Sequence, residues 1–228
     1  MTIVERLLTL RQGVINLDKN YFINRLIVTS KDTIIDVGNS DKELVLNELW
    51  VGNGGNLYIT GTGKLKLYIN QKFTINGGAK IENKSYQIVN NEKINRLEIY
   101  LKGTSFEMSN GGHIYGSIYA DKAPISIQGS GTVFGNFFAG GSSFLIDNGG
   151  TLLTSIILAP DAHLTLRGNV EGTILTKSLV QDYGKVTYKK SIVNDGFFYL
   201  GNGNENTGSE EPSDKEKVSI IKSPVIEK

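Results

Sequence analysis

The stretches GSIYADKAPISIQGSGTVF (residues 116–134) and GNFFAGGSSFLIDNGGTLL (residues 135–153) follow one another in the chain and share a pattern but few residues. In both, short runs of alternating apolar residues are separated by turns rich in glycine, asparagine and serine. Similar units precede them at residues 97–115 and follow them at residues 154–171 and 172–188. A repeat that preserves residue class rather than residue identity is typical of a solenoid.

Each unit contains three apolar runs with a period of two, which predicts three short strands per unit. The first run aligns one inward residue from each unit: Ile99, Ile118, Phe137, Ile157 and Ile174. One unit alone buries too little apolar area to offset the conformational entropy of about 19 residues, so the units have to stack. We therefore predict an all-β fold, a single right-handed parallel β-helix (β-solenoid) with about 17–20 residues and three short strands per coil and with capped ends.

The predicted boundaries lie where this pattern weakens. Residues 1–31 are predicted to form an N-terminal cap, and residues 32–200 the parallel β-helix, with GFFYL (196–200) closing its other end. The polar stretch 82–96 interrupts the pattern and is predicted to be a loop that protrudes from the solenoid wall. Residues 201–228 are polar and poor in apolar residues, which predicts a disordered tail.

The composition excludes several classes of partner and site. The chain has 24 basic and 23 acidic residues, a net charge of +1, so we predict no nucleic-acid partner. It has no cysteine, which excludes disulfides and thiolate metal sites, and no cofactor is predicted. The first 13 residues, MTIVERLLTLRQG, are too short and too charged for a signal peptide or a membrane span. We predict no membrane span in this chain, and its export signal is absent from it.

One column of residues is a candidate ligand-binding site. Alternation places the residue after each first-run core position on the opposite side of the strand, where neighbours such as Glu98 and Ser117 are polar. This column is predicted to be an outward ladder of Tyr68, Tyr100, Tyr119, Phe138 and Leu158, which Tyr58 and Leu175 would extend. A flat, rigid row of aromatic rings suits the apolar faces of sugar rings. The alternative is that the N-terminal segment or the loop at 82–96 covers the ladder as a second core.

The remaining polar residues do not form a recognisable catalytic or metal site. His113 and His163 have no metal-ligand spacing around them and are predicted to lie at the surface near turns. Four acidic residues fall at different phases of the repeat and are predicted to be solvated corner residues: Asp121, Asp147, Asp161 and Asp182. We predict no catalytic residues and no metal site.

The stretch SIILAPDAHLTLRGNVEGTILTKSLVQDYGKVTY (155–188) resembles the repeats of bacterial surface β-solenoids, through its Ala-Pro-Asp-Ala turn at 159–162 and the Gly-Thr-Ile and Lys-Ser-Leu runs that follow. These solenoids include PilX-like type IV pilus-associated proteins, choice-of-anchor A surface modules, and the cellulose-binding adhesins called tapirins. The resemblance covers roughly residues 50–190. It implies an extracellular or cell-surface protein with a non-catalytic role, and with insoluble polysaccharide or pilus and surface components as partners.

The expected function is therefore adhesion or display by a protein that is not an enzyme, with binding of an insoluble polysaccharide such as cellulose through the ladder. Two alternatives stay open: a polysaccharide-cleaving β-helix enzyme, and a bactofilin-like self-assembling structural protein. An ice-binding solenoid ranks last, because Asn169 and Lys185 interrupt the threonine column of Thr132 and Thr151.

Overall fold

The structure, a computed structural model, describes residues 2–10, 13–84, 94–103 and 105–188. These residues are almost entirely β, with a short helical segment at residues 94–95. The strands are β1 (Thr2–Leu10), β2 (Gly13–Asn16), β3 (Tyr21–Thr29), β4 (Thr33–Asp36), β5 (Lys42–Gly52), β6 (Leu57–Thr60), β7 (Leu65–Ile75), β8 (Lys80–Asn83), β9 (Leu97–Leu101), β10 (Ser105–Met108), β11 (His113–Tyr115), β12 (Ser117–Ala120), β13 (Ile125–Ile127), β14 (Thr132–Phe134), β15 (Phe137–Ala139), β16 (Ser143–Ile146), β17 (Thr151–Leu166), β18 (Asn169–Gln181) and β19 (Lys185–Thr187).

These strands form three faces of a parallel β-solenoid of about eight turns. The first face contains β9, β12, β15 and the N-terminal parts of β1, β3, β5 and β7. The second face contains β10, β13, β16 and the C-terminal parts of β1, β3, β5 and β7. The third face contains β2, β4, β6, β8, β11, β14 and β19, and the long strands β17 and β18 contribute to all three.

The register confirms the predicted stacking of the core columns. Ile118 pairs with Ile99 on one side and with Phe137 on the other, and Phe137 pairs in turn with Ile157. Every strand pair within the described residues is parallel, as expected when each coil repeats the path of the one before it. The predicted fold class is therefore confirmed, while the right hand of the coil stays a prediction.

The predicted coil length holds only for part of the solenoid. From β9 onward, axial partners such as Ile118 and Phe137 are 19 residues apart, within the predicted range. In the N-terminal coils they are 23 residues apart, as between Asn24 and Asn47. The extra residues lie in β5 and β7, which have 11 residues each and pass from the first face to the second through a bulge rather than a glycine turn.

The predicted N-terminal cap at residues 1–31 is corrected by the strand pairing. β1 pairs in parallel with β3 from Thr2 to Leu10, so this segment already forms coils of the solenoid. Within the stretch 82–96, Glu82 and Asn83 belong to β8, while residues 85–93 lie outside the described part of the chain. The predicted closing segment 196–200 and the tail 201–228 also lie outside it.

The interior is one continuous apolar cluster that runs from Leu17 to Val170. Its widest part is filled by phenylalanines: the ring centroids of Phe73 and Phe106 are 5.0 Å apart, and those of Phe137 and Phe144 are 4.8 Å apart. All four rings are fully buried. This continuity explains why apolar class is preserved along each column while identity varies, because any apolar side chain of suitable size extends the cluster.

The turns between the second and third faces use left-handed backbone, which asparagine and glycine tolerate. Asn53, Asn110 and Asn148 have φ angles of 52°, 52° and 48°, and each precedes a glycine that also has positive φ. At the bend between the first two faces, Asn47 Nδ2 donates to Asn24 Oδ1 over 2.7 Å. Asparagine therefore sets the turn conformation at one corner and links successive coils at another.

Candidate functional site: the aromatic ladder

The structure brings the five predicted ladder residues together in one column on the outer side of the first face. Tyr68 pairs with Tyr100, Tyr100 with Tyr119, Tyr119 with Phe138, and Phe138 with Leu158. All five side chains are half-buried. Below, "the ladder" means these five residues.

The column is longer than the sequence indicated, and one predicted member does not belong to it. Phe22 and Val45 continue it towards the N-terminus, and Leu175, which is 55% exposed, continues it past Leu158. Phe22 and Val45 were missed because the first coils are longer than the predicted repeat. Tyr58, predicted as a possible further rung, lies instead on the third face, where it pairs with Glu82.

The rings of the ladder stack on one another along the solenoid axis. The centroids of Tyr68 and Tyr100 are 4.9 Å apart, and those of Tyr100–Tyr119 and Tyr119–Phe138 are each 4.8 Å apart, with interplanar angles of 19°, 11° and 3°. Each ring face is therefore largely covered by the next ring. The outer surface consists mainly of ring edges, which differs from the row of exposed ring faces that the sequence suggested.

The tyrosine hydroxyls belong to a small polar network. Tyr100 Oη donates to Glu98 Oε2 over 2.9 Å, and Lys64 Nζ donates to Glu98 Oε1 over 2.7 Å. Burial, together with the hydrogen bond to Glu98, raises the pKa of Tyr100 far above its usual value. Burial is also the main cause of the raised pKa values of Tyr68 and Tyr119. The hydroxyls are therefore protonated and able to donate hydrogen bonds at neutral pH.

The polar neighbours of the ladder are more enclosed than strand alternation predicted. Ser117 and Asn136 are on the outer side of the first face, yet only 8% and 4% of their surface is exposed. The ladder is on one side of them, and across the corner lies a second stacked pair, Tyr115 and Phe134, with centroids 4.3 Å apart. The sequence analysis missed this pair, although both residues follow the third-run core positions of their units.

An open groove of about 440 Å³ runs along the opposite side of the ladder. Tyr100, Tyr119 and Phe138 form one wall, and the other wall carries the exposed charged residues Lys102 and Asp121. The floor is made of small residues, which are Ala120, Ala139 and Gly140, and Pro160 lies at one end. Charged groups thus face an aromatic wall across a shallow channel parallel to the solenoid axis.

The histidines and the remaining acidic residues are distributed over different faces. His113 is half-buried on the third face, whereas His163 lies on the second face with Nδ1 2.7 Å from Ser178 Oγ. Arg167 bridges two corner acids, its NH1 nitrogen lying 3.3 Å from Asp147 and its Nε nitrogen 3.2 Å from Asp182. Within the described ranges, no group of three or more histidine or acidic side chains could hold a metal ion.

A family model described as a domain of unknown function, DUF7305, matches residues 4–148, which is more than half of the chain. The chain belongs to the DUF7305 family. The DUF7305 region runs from within β1 through β16, so it includes four ladder residues and ends before Leu158. No curated protein and no solved structure matches the chain. In the part of the chain that the structure describes, no helix combines the length and apolar character needed to cross a bilayer.

Proposed function

We propose that this DUF7305 protein is a non-catalytic solenoid of the bacterial cell surface that binds an extended polysaccharide along the ladder, for adhesion or display. The observation that carries this proposal is the stack of four aromatic rings at 4.8–4.9 Å beside an open groove of about 440 Å³. The surface location and a link to pili or surface components rest on the resemblance of residues 155–188 to bacterial surface solenoids.

The chemistry of the groove suits a chain rich in oxygen atoms. An aromatic ring is electropositive at its edge, so the outward ring edges attract hydroxyl and ether oxygens. Lys102 can donate hydrogen bonds to sugar hydroxyls from the opposite wall, and Asp121 can accept them. The ladder and the groove run along the solenoid axis, so a polymer aligned with that axis meets an equivalent rung in every coil.

The rigidity of the fold also favours binding to an extended polymer. Each ladder residue is held on a strand that pairs with the coils on both sides, and each ring is clamped by its neighbours. A surface that is already ordered loses little conformational entropy when a ligand binds, and this raises the affinity obtained from each contact.

Binding is a better fit to the groove than cleavage of the polysaccharide. Hydrolysis of a glycosidic bond generally requires a pair of carboxyl groups placed across the bond. Among the described residues that line the groove, the only carboxylate is that of Asp121.

The test is retention of the protein by insoluble cellulose and chitin. The variant carries leucine at Tyr100, Tyr119 and Phe138, because Leu158 and Leu175 show that the same column accepts leucine. Loss of three aromatic contacts, each worth about 0.5–1.5 kcal/mol, predicts at least a tenfold fall in affinity.

The matched control carries leucine at Tyr115 and Phe134, a stacked pair of the same kind on the third face. It should be retained like the wild type. Equal retention of the ladder variant and the wild type, with both folded by circular dichroism, would rule out the ladder as the binding surface. Failure of the wild-type protein to bind either polymer would count against both as ligands.

A second candidate function, end-to-end assembly of copies, is favoured by the last described coil. Its inward residues Leu179 and Val186 are 42% and 39% exposed, whereas the equivalent inward residues one coil earlier, Leu164 and Val170, are 1% and 0% exposed. Like coils stack on one another throughout the chain, so another copy could stack on this coil. Filaments in electron micrographs that disappear in a Leu179→Gln variant would support assembly, and a protein that sediments as a monomer at high concentration would contradict it.

A further inference from the structure

Trp50, the single tryptophan of the chain, lies on the second face, away from the ladder. It is in β5 with its side chain outward and half-buried. Its axial neighbours are Ile27 and Thr74, so the column around it is not aromatic. Among the described residues no ring stacks on the indole, in contrast to the mutually covered rings of the ladder.

The indole lies along its own strand. Gly52 is two residues further on the same side of β5, and a Cβ atom placed on it would be 3.1 Å from Trp50 Cζ2. The six-membered ring of Trp50 therefore rests over Gly52, a position that any larger residue would obstruct. A tryptophan laid against the sheet in this way presents one ring face to the solvent, which is the geometry that sugar stacking requires.

Polar groups surround this ring in a cleft of about 120 Å³. Arg25 Nε is 2.7 Å from Glu48 Oε2, and Lys72 Nζ is 3.8 Å from Glu107 Oε2, so the charges balance. The hydroxyl oxygen of Thr74 is buried and has no hydrogen-bond partner. A buried polar atom without a partner is uncommon in folded proteins and is costly, so a bound group that hydrogen-bonds to it would gain affinity.

We propose that this cleft is a binding subsite for one neutral pyranose ring, which stacks on Trp50 and forms hydrogen bonds with Thr74, Glu48 and Lys72. The volume equals that of about four liquid waters, enough to seat one side of a single sugar ring. Neighbouring hydroxyls of a pyranose match the alternating donors and acceptors of the cleft. The balanced charge favours a neutral sugar over an anionic one.

This subsite lies on a different face from the ladder and does not depend on the proposed function. The two can be tested separately, because emission from the only tryptophan reports on this cleft alone. The experiment is a fluorescence titration of the full chain with the methyl β-glycosides of glucose, N-acetylglucosamine and mannose. We expect a saturable change in Trp50 emission with at least one glycoside, with a dissociation constant in the millimolar range.

Two valine variants test the role of the hydroxyl without altering the tryptophan. Thr74→Val removes the unpaired hydroxyl at nearly constant shape and should weaken binding about 2- to 10-fold. Thr165→Val is the matched control, because Thr165 occupies the same outward column several coils away, and it should bind like the wild type. Lys72→Met provides a second test of the cleft if Thr74→Val does not fold.

The proposal is overturned if no glycoside gives a saturable change with the folded wild type, or if Thr74→Val and Lys72→Met both bind as tightly as the wild type. The ladder variant with three leucines should leave the titration unchanged. Loss of the titration in that variant would mean that the emission change originates from the ladder, and it would also overturn the proposal.

Discussion

Phe137 and Phe138 are consecutive and identical residues that face opposite ways, and replacing each with alanine measures the orientation of the wall. Phe137 is completely buried between Ile118 and Ile157 in its column, with the ring of Phe144 at 4.8 Å. Removal of a fully buried phenylalanine ring typically costs about 3–5 kcal/mol. Phe137→Ala is therefore expected to reduce the free energy of unfolding by that amount.

The cost of Phe138→Ala is smaller because its ring is only half-buried. Half of the transfer free energy of a buried side chain is about 0.8–1.5 kcal/mol. The stacked contact with Tyr119, at 4.8 Å, adds about 0.5–1.5 kcal/mol. The expected loss is about 1–3 kcal/mol, so the two variants should differ by roughly 2 kcal/mol.

The assay is urea unfolding followed by Trp50 fluorescence and by far-ultraviolet circular dichroism. Agreement between the two signals is required before a free energy is extracted, because long repeat arrays can unfold in stages. Equal losses for the two variants, or a larger loss for Phe138→Ala, would show that the inward and outward sides of this strand have been assigned the wrong way round.

Two further predictions concern a turn and the pH dependence of stability. A Cβ atom on Gly103 would collide with the backbone oxygen of Gln71, so Gly103→Ala should cost at least about 2 kcal/mol in urea unfolding, whereas Gly78→Asn should cost only a few tenths, because Gly78 has a φ of 71° and open space around it. No difference between these two variants would contradict the predicted collision. In the unfolded chain tyrosine ionises near pH 10, while burial and Glu98 keep the pKa of Tyr100 higher in the fold. Above about pH 10 the folded state thus holds more protons than the unfolded state, and stability falls as the pH rises. Thermal unfolding between neutral pH and pH 11 should show a shallower fall for Tyr100→Phe, and parallel curves would refute this role of Tyr100.

The core columns from Ile99 to Ile174 were predictable because their spacing of 17–20 residues is regular enough to align by residue class. The N-terminal coils were not, because the bulge after Leu46 adds residues without a glycine to mark them. The same lengthening hid Phe22 and Val45, which share the ladder's column but not its period. It also made residues 1–31 resemble a cap rather than part of the stack.

The ladder could be predicted as a column but not as a surface. Alternation alone places Tyr100 and Tyr119 on the outer side. The orientation of their rings depends on side-chain torsions and on the 4.8 Å distance between rings, neither of which the sequence encodes directly. Trp50 was missed for a different reason, since it occurs once and its geometry depends on Gly52, two residues further along the strand.

The axial stacking of coils is tested most directly by pairs of introduced cysteines, since the chain has none of its own. Thr132 and Thr151 pair across adjacent coils on the third face, and Asn169 is the next residue of that column. Neighbouring strands lie about 4.8 Å apart, within disulfide range, whereas two rungs span about twice that distance. After mild oxidation, mass spectrometry should show a disulfide in Thr132→Cys/Thr151→Cys and none in Thr132→Cys/Asn169→Cys. A disulfide in the second variant and none in the first would contradict the stacked solenoid.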